Sequence, residues 1–155
     1  MKLYSYFRSS AAFRLRIALN LKGLDYEYVA INLLNREQKS DDYLALNPQG
    51  LVPALTLPDG QTLGQSIALL EWLDEAYPEA ALLPQDPTDR ARVRSVVHNI
   101  ACDIHPICNM AVTNYLQDRF SAREADIIDW YTAWMHRGFI AIERVLANNA
   151  TPFSF

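Results

Sequence analysis

Lys2-Leu3-Tyr4-Ser5-Tyr6-Phe7, then Arg8-Ser9-Ser10, then Ala11 to Lys22 closed by Gly23, then Tyr26-Glu27-Tyr28-Val29-Ala30-Ile31: this opening stretch decides the fold. The first six residues alternate in the manner of a short strand, and Tyr26 to Ile31 reads as a second. Ala11–Lys22 between them reads as a mostly apolar helix, and Gly23 is the residue type usually found just past a helix end. A strand, a helix and a strand in so short a span make a βαβ unit, so the two strands are expected to run parallel.

Downstream, Asp41–Leu46 reads as a short helix closed by Asn47-Pro48. Leu51 to Leu57 is a third strand, and Pro58-Asp59-Gly60 turns it into a fourth around Gln61–Leu63, since an Asp-Gly step between apolar runs marks a hairpin. Ser66 opens a helix through Tyr77, with Ile67, Leu70 and Leu73 on one face. The order β-α-β-α-β-β-α is the thioredoxin-like arrangement, an α/β domain with a mixed sheet over residues 1–80. Pro78, Pro84 and Pro87 punctuate a linker.

No strand pattern follows. Asp86 is a good N-cap, with Pro87 at the first helical position and Asp89 in the first turn. Val93, Val97, Ile100 and Ile104 recur at helical spacing, and Pro106 is expected to kink their helix by freeing the carbonyl of Cys102. Ser121-Ala122-Arg123-Glu124 reads as a capping box before the apolar face of Ile127, Tyr131, Trp134, Ile142 and Leu146. Residues 86–155 are therefore expected to form an all-helical second domain.

Composition narrows the partners. The chain has 155 residues, half of them hydrophobic, with a net charge of −4. That length buries about two thirds of its unfolded surface, so a true core is possible. With no basic stripe to neutralise phosphates, nucleic acid is not expected as a partner. An anionic substrate would need local positive charge against the overall field. Cys102 and Cys108 fit neither a CxxC nor a zinc pattern; buried, reduced thiols and no metal site are expected. No signal-like segment and no bilayer-length apolar run is present, so a cytoplasmic location away from membranes is expected.

Three places could carry chemistry. Ser9-Ser10 sits where the first strand passes into the first helix, and a serine there can simply cap the helix. It can also donate to a thiolate held at that helix end. A free thiol has a pKa near about 8.5, and lowering it by about two units takes about 2.7 kcal/mol. A charge-assisted hydrogen bond of about 1.5–3 kcal/mol and a helix end contributing about 0.3–1 kcal/mol could supply that. Because the position holds serines and no CxxC, the thiol would come from a ligand.

Asn47-Pro48-Gln49-Gly50-Leu51-Val52-Pro53 reads either as a turn before an edge strand, or as a loop with a cis Val52-Pro53 bond. In the second case the Val52 backbone faces outward and can pair with a peptide ligand like an added strand. Gln65-Ser66 reads as an N-cap or as a carboxylate site at a helix N-terminus.

Arg8-Ser9-Ser10-Ala11-Ala12-Phe13-Arg14-Leu15-Arg16-Ile17-Ala18-Leu19 resembles the signature of zeta-class glutathione transferases, which include the maleylacetoacetate and maleylpyruvate isomerases. Asn47-Pro48-Gln49, Val52-Pro53 and Gln65-Ser66 stand where that family binds glutathione, and Asp103-Ile104-His105-Pro106 resembles its segment in the first long helix. The resemblance implies catalytic roles for Ser9 and Ser10, with Ser9 activating glutathione as cofactor. It gives Gln49, Val52, Pro53, Gln65 and Ser66 to the tripeptide, and Arg8, His105 and Asn109 to a dicarboxylate substrate. It implies glutathione-dependent cis–trans isomerisation of a maleyl keto-acid, and a homodimer. A general glutathione transferase and a non-enzymatic module on the same fold are the competing readings.

Two departures accompany the resemblance. Ala11 stands where the family often carries cysteine, and the chain ends at Thr151-Pro152-Phe153-Ser154-Phe155 where relatives continue into further helices. The expectation is a truncated form that binds glutathione and isomerises poorly.

Overall fold

The computed structural model describes residues 1–148. The chain divides into two compact units, Met1–Leu82 and a second from Leu83 onward.

In the first unit, four strands order as β2-β1-β3-β4. Strand β1 (Lys2–Ser5) runs parallel to β2 (Glu27–Ala30), with Leu3 opposite Tyr28. It runs antiparallel to β3 (Ala54–Thr56), with Leu3 opposite Leu55, and β4 (Thr62–Gly64) closes the hairpin against β3. The sheet is mixed, in the thioredoxin-like order. Helices α1 (Ser10–Leu21), α2 (Asp41–Leu46) and α3 (Ser66–Ala76) complete the unit.

The period of two along β1 and β3 sends Leu3 and Leu55 to one face, where Leu15, Ala18 and Leu19 of α1 and Leu69 and Leu73 of α3 meet them. Each fully buried leucine there contributes about 1.5–3 kcal/mol. Ala54 goes to the opposite face, into a second cluster with Tyr6, Ile31, Tyr43 of α2 and Val52. The buried face of α3 is Ser66, Leu69 and Leu73, not the expected Ile67, Leu70 and Leu73. Spacings of three and four keep residues on one stripe, whereas two successive threes drift off it.

The second unit holds α4 (Pro87–His98), a π-helical turn (Asn99–Ile104), α5 (Met110–Phe120) and α6 (Glu124–Ala147). Asp86 caps α4 by accepting from the N–H groups of Thr88 at 2.8 Å and Asp89 at 3.0 Å. Pro106 does not kink one continuous helix. The chain widens first, with the N–H of His105 donating to Ile100 O at 2.9 Å, and the helix then ends, because Pro106 has no N–H for the Cys102 carbonyl.

The expected capping box at Ser121 also moves. Ser121 is left-handed (φ 54°) and terminates α5, so it cannot take the extended N-cap conformation. Arg123 takes that position instead: its N–H donates to Asp126 Oδ2 at 2.8 Å and its Nε to the same oxygen at 3.0 Å. Ile127 and Ile142 of α6 are buried, with Tyr131, Trp134 and Leu146 half-buried.

Both cysteines are free, but Cys102 is exposed and Cys108 half-buried. At Cys102 the expected burial fails because Ile104 is the buried residue of the π-helical turn. Among the described residues no helix is long and apolar enough to cross a membrane. Phe153 and Phe155 lie outside the described residues.

Candidate active site

Ser9 stands at the mouth of α1. Its N–H donates to Tyr6 O at 3.0 Å and its carbonyl accepts from the N–H of Phe13 at 2.9 Å. Its hydroxyl oxygen accepts from the N–H of Ala12 at 3.2 Å. That spends the oxygen as an acceptor and leaves the proton, which has no acceptor among the described residues. Capping and donation to a ligand are thus compatible uses of one hydroxyl. The first turn of α1 carries no acidic residue, so nothing within it offsets the positive helix end.

Ser10 is the first helical residue and is exposed. Arg8 is exposed too, and its guanidinium makes no hydrogen bond or ion pair among the described residues. The segment is anchored from behind by Arg16, whose Nη2 donates to Phe7 O at 3.0 Å while its guanidinium lies 5.1 Å from the centre of the Phe13 ring.

The 47–53 loop is built around one carbonyl. Leu51 O accepts from Tyr43 Oη at 2.7 Å and from Asn47 Nδ2 at 2.8 Å. The oxygen of the same Asn47 amide accepts from the N–H of Gln49 at 3.3 Å. Burial pushes the Tyr43 phenol up to about 12, with Tyr4 adding to the shift and the Asn47 side chain opposing it. The next peptide bond, Val52-Pro53, is cis. Neither the N–H nor the carbonyl of Val52 has a hydrogen-bond partner among the described residues. A free donor and acceptor on one residue are what a peptide ligand pairs with.

The start of α3 departs from the expected cap. Gln65 occupies the N-cap position with φ 65°, yet its side chain caps nothing. The amide turns instead to Gln49, Nε2 donating to Oε1 at 2.8 Å. Ser66 is buried, and its hydroxyl accepts from Arg14 Nη1 at 3.1 Å. The first-turn N–H groups of α3 therefore have no side-chain cap, the condition under which a helix end takes a carboxylate.

Gln49 and Gln65 are brought together by a direct bond, with Ser66 beside Gln65 and Val52 on the same loop as Gln49. These features fit glutathione, which offers a peptide backbone and two carboxylates. His105 and Asn109 lie in the second unit. Asn109 spends its amide on the fold: Oδ1 accepts from the N–H groups of Ala111 and Val112 at 2.9 and 3.1 Å, and Nδ2 donates to Pro106 O at 2.7 Å. Sequence reasoning gave no role to Tyr43, Arg14 or Arg16. Two arginines inside an otherwise apolar helix were the available signal for the last two.

Comparison with known proteins follows the same lines. Residues 8–76 match the family model "Glutathione S-transferase, N-terminal domain". Maleylpyruvate isomerase from Ralstonia is 51% identical over 147 residues, covering 95% of this chain and 69% of the relative. Maleylacetoacetate isomerase from Pseudomonas aeruginosa is 44% identical over 155 residues, covering 99% and 73%. The holo structure of maleyl pyruvate isomerase, a bacterial zeta-class glutathione S-transferase, superposes with a TM-score of 0.96 at 49% identity and covers 100% of this chain and 74% of its own. Maleylacetoacetate isomerase from Methylobacterium extorquens, solved with malonate and glutathione bound, gives 0.95 at 40% identity, covering 99% and 73%. The chain belongs to the zeta class of glutathione transferases, alongside the maleylpyruvate and maleylacetoacetate isomerases.

Proposed function

We propose that this chain is a glutathione-dependent isomerase that turns a cis maleyl keto-acid, maleylacetoacetate or maleylpyruvate, into its trans isomer. The observation that carries the reading is the Val52 backbone, whose donor and acceptor are both unspent, on the loop whose Gln49 bonds Gln65 at the uncapped start of α3. Both closely similar relatives named above are isomerases of this kind.

When bound, glutathione supplies the sulfur nucleophile that adds to and leaves the conjugated double bond. The chain's own residues do the rest. Val52 holds the cysteinyl backbone in strand-like pairing, and Gln49, Gln65 and Ser66 take the polar ends of the tripeptide. Ser9 donates its unspent proton to the sulfur and keeps it ionised at the α1 terminus. Arg8, an unpaired guanidinium next to Ser9, takes a carboxylate or keto oxygen of the substrate, where a fork of donors suits a developing negative charge. Ser10 sits beside Ser9 as a further hydroxyl, and His105 and Asn109 are proposed as substrate contacts on the strength of the resemblance. On the same reading the protein is a cytoplasmic homodimer acting in the catabolism of aromatic compounds.

The test is an ultraviolet assay of both maleyl keto-acids with this chain, with and without glutathione. Glutathione-dependent formation of the trans isomer is expected. Stable conjugates without isomerisation would favour a general transferase, and no turnover of either acid would overturn the proposal.

A further inference from the structure

Arg16 sits in the second turn of α1, half-buried, with no acidic partner among the described residues. Its side chain leans back toward the start of the helix, as helical side chains do. Its one hydrogen bond there is from Nη2 to Phe7 O at 3.0 Å. The ring of Phe13, one turn earlier, takes the cation at 5.1 Å from its centre. Nε is buried, and its proton has no acceptor among the described residues. An orphaned donor on an unpaired charge weakens a fold, so its presence asks for another reason.

The carbonyl that Arg16 holds supplies that reason. The Ser9 N–H donates to Tyr6 O at 3.0 Å and closes a four-residue turn with Phe7 and Arg8 in the middle. Phe7 O belongs to the peptide that joins those two central residues, and the direction of this peptide sets where Arg8 leaves the turn. Type I and type II turns differ by a flip of this same peptide, so its direction is a soft coordinate unless something holds it. The bond from Arg16 is exposed, and water can take the carbonyl in its place. Satisfying Phe7 O therefore does not require Arg16, whereas fixing its direction does.

We infer that Arg16 is a positioning residue for the substrate: by holding the central peptide of the Tyr6–Ser9 turn, it aims the Arg8 guanidinium at the substrate carboxylate. The inference rests on the proposed role of Arg8. It goes beyond that role by making substrate affinity depend on a helix residue that acts through the Phe7 carbonyl, and by giving a use to a buried donor that the fold leaves unpaired.

Calorimetric titration of the glutathione-saturated 155-residue chain with succinate tests this, because a saturated dicarboxylate offers no double bond for a thiol to attack. Arg8→Met should weaken succinate at least about tenfold, as loss of a charge-assisted hydrogen bond does. Arg16→Met should weaken it by a similar factor, and Arg16→Lys should recover most of the loss. Arg16→Met added to Arg8→Met should cost nothing further, since the two act as one unit. Arg16→Met should also keep its affinity for glutathione and its midpoint in urea, because removing the orphaned donor offsets the lost bond. If Arg16→Met instead weakens glutathione and succinate by one factor and lowers the urea midpoint, Arg16 is a brace of the fold and the inference is overturned. Unchanged succinate affinity in Arg16→Met, or a further loss in the double variant, overturns it as well. If the unsubstituted chain binds no succinate, or Arg8→Met binds it equally well, the proposed role of Arg8 is what fails and the inference goes with it, which separates the two cases.

Discussion

Lys22 Nζ lies 3.2 Å from Asp74 Oδ1 with both side chains buried, at 1% and 7% exposure. The ammonium also donates to the carbonyls of Tyr77 at 2.7 Å and of Glu79 and Ala80 at 3.2 Å. Asp74 in turn accepts from the N–H of Leu82 at 2.6 Å. One ion pair therefore ties the end of α1 to the end of α3 and to the segment that leaves the first unit. Removing one partner strands the other charge in the interior, which costs about 3–5 kcal/mol. Lys22→Met should lower unfolding stability by that amount in urea, and Lys22→Met with Asp74→Asn should lose less than the two single losses added. Strict additivity would mean that the pair does not act as a unit.

The loop under Val52 makes a second prediction. Gly50 has φ 59°, and a Cβ there would come within 2.7 Å of Lys39 Nζ and 2.8 Å of Gln38 O. Gly23 has φ 64° and nothing within 4 Å of the same position. Gly23→Ala should cost only the left-handed penalty of about 1–2 kcal/mol. Gly50→Ala should cost more, because Lys39 can swing away but the Gln38 carbonyl is backbone. It should also weaken glutathione binding, since the loop it distorts presents Val52; urea midpoints and calorimetry of the two variants separate these effects. Equal costs at the two glycines would show that the close approach at Gly50 does not matter.

Much of this fold is legible in local sequence. The βαβ unit, the Asp-Gly hairpin and the Asp86 cap each depend on neighbours within a few residues, and the structure has all three. What escaped depends on distant residues or on competition. Ser121 could cap α6 by its type, but the need to end α5 claims it first. Gln65 could cap α3, but Gln49 across the loop takes its amide. Gly138 has no local signal at all: a Cβ there would collide with Ile104, so its lack of a side chain is what lets α6 approach the π-helical turn. In the site, residue types pointed to Ser9, Val52 and Ser66. Arg14 donates to Ser66 across 52 residues and is visible only once distant segments are brought into contact. Tyr43 and Asn47, by contrast, lie within eight residues of the Leu51 carbonyl they hold, and nothing in their types marks that bond.

Tyr43 sets the alkaline limit of that loop. Its phenol is pushed up to about 12 by burial, against about 10 in an unfolded chain. A pKa raised in the folded state means that the folded protein keeps a proton the unfolded chain gives up. The stabilisation is complete below pH about 10 and is lost as pH rises from there through about 12. Stability measured by urea unfolding should fall over that window, and Tyr43→Phe should flatten the fall while weakening the protein at neutral pH through loss of the bond to Leu51 O. An alkaline profile identical in Tyr43→Phe would assign the transition to other tyrosines.

Ser9 offers the sharpest separation of structure from chemistry, because its hydroxyl caps α1 and is proposed to donate to a bound thiolate, two roles that different substitutions divide. As acceptor from the N–H of Ala12 at 3.2 Å it caps α1, and losing a cap costs about 0.5–2 kcal/mol. As donor to a bound thiolate it should lower the thiol pKa by about 1–2 units, the worth of one hydrogen bond to a charged atom. Ser9→Ala should lose both, with the pKa of bound glutathione rising by that amount in an ultraviolet titration of the thiolate and turnover falling at least about tenfold at neutral pH. Ser9→Asp keeps a capping acceptor at the α1 terminus but places a negative charge, with no proton to donate, where the sulfur should sit. It should therefore recover the thermal stability lost in Ser9→Ala and leave the thiol pKa high. A thiol pKa that stays low in Ser9→Ala would leave Ser9 as a cap alone and would move sulfur activation to another group on α1.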